Sequence, residues 1–260
     1  MKLWHQSMTE LHDLKAYKDS LEAHASKVLT PQDIVEVHGM PKGAYRGHSP
    51  TAALSNAFAH HRILDPILDN AVNAEKQGFD VFVVGSYSEP FLRELRSAVD
   101  IPVVSITEAT LLVACSIGRL SVPIANDPGI AWIVRESVHT HGLNARVLTP
   151  RAIEPALDEH QMAEAFKNPP ILIDCFAVAA RKAIAEGADV IIPAEGVLSE
   201  FLYNNNIKMI DSAPVMDSFG VTWAYAAMMH NLKDKLGLSV SRKMHYQRNN
   251  PDLIEALRRP

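Results

Sequence analysis

The sequence predicts an α/β protein of two pseudo-symmetric domains, each a four-stranded, mostly parallel sheet flanked by helices. Short β-branched runs alternate with segments of helical period, the runs fall into two sets of four, and part of the first set recurs in the second.

The first set of expected strands covers residues 2–7 (KLWHQS), 33–39 (DIVEVHG), 80–86 (DVFVVGS) and 101–106 (IPVVSI). The second covers residues 120–126 (LSVPIAN), 145–150 (ARVLTP), 189–195 (DVIIPAE) and 207–212 (IKMIDS). Helical period fills the intervals, as in MTELHDLKAYKDSLEAHA, RILDPILDNAVNAEKQG and CFAVAARKAIAEG. KQGFDVFVVGS aligns with AEGADVIIPAE without a gap, so Gly78 meets Gly187, Asp80 meets Asp189, and Ser86 meets Glu195. In each copy a helix ends at a glycine able to take the left-handed cap, and an Asp opens a buried strand. IPVVSI matches IKMIDS with a small offset. Residues 1–115 together with about 214–260 are expected to form the first domain, and 116–213 the second.

Composition narrows the function classes. A chain of 260 residues, 47% hydrophobic and 21% charged, is ordinary for a globular protein with a substantial core. Its net charge of -5 offers no basic footprint for nucleic acid. No apolar stretch approaches the roughly 18 residues of a membrane span. The opening MKLWHQSMTELHD mixes polar and charged groups too early for a signal peptide, so the cytoplasm is the expected compartment. Cys115 and Cys175 lie in apolar helical patterns and are expected to be packed thiols, with no metal site indicated.

In open parallel sheets, ligands bind beyond the carboxyl ends of the strands, where loops and helix N-termini present N–H groups. Ser86 and Glu195 end equivalent strands, so a cleft between the domains would set them on opposite walls. Candidate substrate-binding neighbours are Gln6, Ser7 and Thr9 after the first strand, Tyr87 and Ser88 after Ser86, Gly196 and Val197 after Glu195, and Asn126 after the fifth strand. Ser7 also heads S-x-x-E, a helix-capping pattern, and SEP at residues 88–90 reads as a helix start with Pro90 in the first turn. The Gly/Pro-rich loop GMPKGAYRGHSP offers His48, with Lys42, Tyr45 and Arg46, as a cover for the cleft. His60 and His61 read as surface or packing residues, and the basic segment from Ser239 onward as a solvated tail with a short terminal helix.

LWHQSMT, VEVHGMPKG, VVGSYSEPFLRELRSAVDIPVVSITEA, AIAEGADVIIPAEGVLSEF and IKMIDSAPVMD together resemble the aspartate/glutamate/hydantoin racemase superfamily, most closely its hydantoin racemase-like branch, over residues 1–225. The resemblance implies paired α/β domains, self-association, no cofactor or metal, and a small-molecule substrate held by polar groups after the first strand. It also implies two cysteines facing each other across a substrate carbon. This chain departs there: the cysteine positions fall on Ser86 and Glu195.

A serine hydroxyl is too weak an acid to replace a thiolate unaided. A carboxylate is a plausible base, but with a reference pKa of about 4.3 against about 8.5 for a thiol it suits a fairly acidic C–H unless its apolar strand raises its basicity. Three readings follow. Glu195 shuttles a proton at a carbon acid, in an isomerase; the enolate forms by loss of carbon dioxide or another group, in a decarboxylase or lyase; or Glu195 activates Ser86 or water, in a hydrolase. A non-catalytic binding paralogue is the remaining alternative. Proton transfer by Glu195, with Ser86 orienting the substrate, is the leading expectation.

Overall fold

Two parallel sheets carry the fold in a computed structural model that describes residues 1–12, 14–158, 161, 162, 164, 168–248 and 250–258. The first consists of β1 (Lys2–Gln6), β2 (Ile34–His38), β3 (Val81–Val84) and β4 (Val103–Ser105) in the order β2-β1-β3-β4, all parallel. The second has β5 (Ser121–Ala125), β6 (Arg151–Ala152) and β7 (Val190–Pro193) in the order β6-β5-β7, again parallel. Helices cover them in sequence order: α1 (Lys15–Val28), α2 (Pro50–Leu54), α3 (Ala57–Leu64), α4 (Pro66–Lys76), α5 (Leu92–Ala98) and α6 (Ile106–Ile117). Then come α7 (Pro128–Thr140), α8 (Pro169–Ala185), α9 (Gly196–Asn204), α10 (Ser218–Leu236) and α11 (Pro251–Leu257).

Strand alternation sorts the core. Leu3, Val81 and Val83 face a cluster that also holds Val190, Ile192, Phe219 and Trp223, so one apolar core joins both sheets. Trp4, Phe82 and Val84 point the other way, onto α4 residues such as Ile67 and Ala71. Ile191, Phe176 and Phe201 centre a third cluster in the second half.

The internal repeat extends to individual hydrogen bonds. Asp80 N–H donates to Lys2 C=O at 2.7 Å, and Asp189 N–H to Leu120 C=O at 2.7 Å. The Asp80 carboxylate accepts from Lys2 N–H at 2.6 Å, and that of Asp189 from Arg119 and Leu120 N–H at 2.9 Å each. At the far ends, Gly85 N–H donates to Gln6 C=O (2.9 Å) and Ala194 N–H to Ile124 C=O (2.8 Å). Gly78 and Gly187 both take positive φ, 76° and 103°, as their helix-stopping role requires.

Several local expectations change. Residues 145–150 contribute only a single bridge, Val147 to Ser121, and pairing resumes at β6. The expected strand at 207–212 becomes a short antiparallel hairpin, β8 (Met209–Ile210) with β9 (Ala213–Pro214), after which Val215 makes one parallel bridge to Ile191. Asp211 turns the chain there with φ 51°, and Pro214 has no N–H to donate to a ladder. The second sheet is thus three-stranded. Helix does not begin at Ser7 but at Lys15, and the pattern over residues 62–78 breaks at Pro66, which starts α4. Pro90 lies outside α5, because Glu89 and Phe91 take φ of 48° and 55°. That turn aims the Glu89 carboxylate at the Ser105 hydroxyl and, at 2.7 Å, at His141 from the second half.

The C-terminal segment is not a solvated tail. Arg242 donates to the Arg96 carbonyl at 2.6 Å and to Asp100 at 2.7 Å, Arg248 pairs with Asp100, and Arg258 pairs with Asp69 at 3.3 Å. These bonds lay it along the first half of its own chain. Among the described residues, no helix is long and apolar enough to cross a membrane.

Candidate active site

Both halves present their strand-end residue by the same local device. β3 runs through Gly85 to Ser86, whose Oγ accepts Ser88 N–H at 3.2 Å and lies 3.0 Å from Ser88 Oγ. β7 runs through Ala194 to Glu195, whose carboxylate oxygens accept from Val197 N–H (3.0 Å) and Leu198 N–H (2.7 Å). Glu195 is therefore the N-cap of α9, a position usually held by shorter side chains. The two donors and the positive end of the helix stabilise its charge. Although residues 190–194 are buried, Glu195 itself is half-exposed, so the apolar strand is not its whole environment.

Ser86 and Glu195 line one cleft that opens to solvent. Ser7, Thr9, Tyr87, Ser88 and Gly196 line it too, as the sequence suggested. Ser7 Oγ accepts Thr9 N–H at 3.2 Å and so shapes the loop after β1 without capping a helix.

Other candidates stand apart. Gln6 is fully buried, donates to the Ser7 carbonyl at 2.9 Å, and accepts from Trp4 Nε1 (3.1 Å) and Asn70 (2.9 Å). Its amide braces β1 against α4 and does not line the cleft. Asn126 lies behind the cleft wall, donating to the Leu157 carbonyl at 2.8 Å and to Thr51 Oγ1 at 3.4 Å. Val197 contributes its N–H to Glu195 rather than a side chain to the cleft. His48, Lys42 and Arg46 are likewise absent from the lining. Their loop is pinned at its start, where the Glu10 carboxylate accepts from Gly43 and Tyr45 N–H at 2.9 and 3.0 Å.

Tyr87 has a second task. Its hydroxyl donates to Ser218 Oγ at 2.8 Å, and Ser218 Oγ donates to the Pro193 carbonyl at 3.0 Å. This chain ties the end of β3 to the end of β7 and sets the two walls relative to each other. Burial pushes the Tyr87 phenol above its ordinary pKa, against the pull of its bonds to Ser218 and Thr110.

Sequence reading missed Tyr17, Thr51, Leu54 and Ile130, which also line the cleft. None stands at a strand end, so no local signal marks them. Behind Glu195, buried His24 on α1 bridges Glu200 (Nδ1, 2.9 Å) and Asp217 (Nε2, 2.8 Å), clamping α1 to α9 and to the start of α10. Burial alone would lower the His24 pKa, but its bonds to the two carboxylates raise it. Among the described residues, no group of three His, Cys, Asp or Glu side chains is placed to hold a metal ion.

The sequence profile of the Asp/Glu/Hydantoin racemase family matches residues 15–223. Hydantoin racemase from Pseudomonas sp. (strain NS671) is 22% identical over 195 residues, 75% of this chain and 73% of that one. Allantoin racemase from Pseudomonas fluorescens has a similar structure, with a TM-score of 0.73 at 22% identity, covering 96% of this chain and 98% of that one. Allantoin racemase from Klebsiella pneumoniae has a TM-score of 0.71 at 18% identity, covering 96% and 94%.

Proposed function

Since this chain belongs to the Asp/Glu/Hydantoin racemase family, we propose that it is a cofactor-independent, racemase-type isomerase in which Glu195 moves a proton at a carbon acid. The support is Glu195 itself: the cleft-lining carboxylate at the repeat position equivalent to Ser86, held in place by two N–H groups. Ser86 orients the substrate across the cleft. The same reading keeps the division into a first domain of residues 1–115 plus about 214–260 and a second of 116–213.

A base on one wall removes and returns a proton on one face of the substrate. It therefore performs a suprafacial proton shift, and inverts a stereocentre only when the planar enolate turns over in the cleft. The hydrolase reading has less support, since the hydroxyl partner of Ser86 is Ser88 rather than a base.

Relatives are named for hydantoin and allantoin, so 5-monosubstituted hydantoins and allantoin are the first carbon acids to test. Their C5–H lies beside a ring carbonyl that can hold the charge as an enolate. In D₂O the wild type should incorporate deuterium at C5, read by NMR. Glu195→Gln should slow that exchange by about 10²–10⁴-fold with an unchanged circular dichroism spectrum. Wild-type exchange in the variant would remove Glu195 as the base.

A further inference from the structure

An enolate formed by Glu195 needs a donor for its oxygen, because charge leaving the C–H bond collects there. Ser86 lies on the first-half wall and is bonded to Ser88, and the Tyr87 hydroxyl is spent on Ser218. Tyr17, in the first turn of α1, lines the cleft beside Glu195. Its ring is packed against the apolar clusters of both halves, which fixes its direction. A Cβ built on Gly196 would lie 3.0 Å from the Tyr17 hydroxyl, so the phenol oxygen sits over the first residue of α9, next to the base.

We propose that Tyr17 is a catalytic residue: its phenol O–H donates a hydrogen bond to the enolate oxygen that develops when Glu195 takes the proton. The inference rests on the proton-transfer reading above. Glu195 takes H⁺ from carbon, the C–H electron pair becomes the C=C bond, and the carbonyl π pair moves onto oxygen, which accepts the Tyr17 bond. Collapse of the enolate returns the proton from Glu195 to carbon. Tyr17 keeps its own proton throughout. Burial, with the charges of Glu195 and Glu200, holds the phenol well above its ordinary pKa, so acid and base stay distinct although adjacent. Gly196 has a matching reason to lack a side chain, since even a methyl group would crowd the hydroxyl.

Binding of barbiturate, a planar ring oxyanion resembling the enolate, tests Tyr17 without requiring turnover. By calorimetry, Tyr17→Phe should bind it about 10-fold more weakly than wild type, and Glu195→Gln no more weakly, because that change removes a negative charge. In the hydantoin exchange assay, Tyr17→Phe should lose about 10²–10³-fold in kcat with KM little changed. Equal barbiturate binding by wild type and Tyr17→Phe, or no binding by wild type, overturns the assignment. Unimpaired exchange in Glu195→Gln instead overturns the base while leaving the barbiturate comparison to judge Tyr17.

Discussion

At the end of β3 the chain reads Gly85-Ser86, and at the end of β7 it reads Ala194-Glu195; the backbone bonds of the two ends match, while their surroundings differ. His5 of β1 pairs with Val83 as Pro123 of β5 pairs with Ile192, so a histidine in one half takes the place of a proline in the other. A Cβ on Gly85 would lie 2.4 Å from His5 Nε2, which explains why the first half has glycine where the second tolerates alanine. The frame is the same in both halves. The difference lies in the side chains that the frame presents: a carboxylate capping its helix on one wall, and paired hydroxyls on the other.

His5 offers the largest effect with which to probe that difference. Burial, then the charge of His38, lowers its pKa to about 3, and its Nδ1 accepts from Trp223 Nε1 at 3.3 Å, so it is neutral when folded. Unfolded, it titrates near 6.5, so the unfolded state binds more protons between those values. Stability should therefore fall as pH drops from about 6.5 toward 3, by up to about 4 kcal/mol from this residue. Urea midpoints between pH 4 and 7.5 should show that slope in wild type and lose much of it in His5→Gln; an equal slope in both would assign it elsewhere. His24 has the opposite sign. Its raised pKa contributes stability that is present below about 6.5 and lost as pH rises through the folded value.

Swapping the strand-end residues gives an intermediate effect. Gly85→Ala should destabilise by about 1–3 kcal/mol, by overpacking against His5. Ala194→Gly should cost about 1 kcal/mol or less. Equal denaturation midpoints for the two variants would mean that His5 yields freely and the asymmetry has no steric basis.

Ser86→Ala is the smallest change. It removes the acceptor for Ser88 N–H, costing about 1 kcal/mol, and as an orienting residue Ser86 should contribute about tenfold to turnover. A loss in exchange as deep as that of Glu195→Gln would make Ser86 an equal chemical partner and end the one-base reading.

Much of this was legible in the sequence because it is local. Gly78, Gly187, Asp80 and Asp189 mark each repeat by what a helix stop and a strand start require of neighbouring residues, and Ser86 and Glu195 follow at fixed distances along the strands. Local reading failed where a side chain had a choice of direction. Gln6 stands at a strand end, as a ligand-binding residue should, but α4 supplies Asn70 and the amide turns inward. Likewise the S-x-x-E pattern at Ser7 has the wording of a helix cap, yet Glu10 reaches across to the loop at Gly43.

The sequence by itself determined the class of fold, the repeated frame and the matched positions of Ser86 and Glu195, because strand period, caps and repeats are properties of neighbours along the chain. Only the tertiary structure decided that Glu195 is bound to its own helix, that Tyr87 bolts the two strand ends together through Ser218, and that Tyr17 arrives beside Glu195 from a helix far away in sequence. Those facts depend on which surfaces bury one another, and burial is settled by packing the whole chain at once.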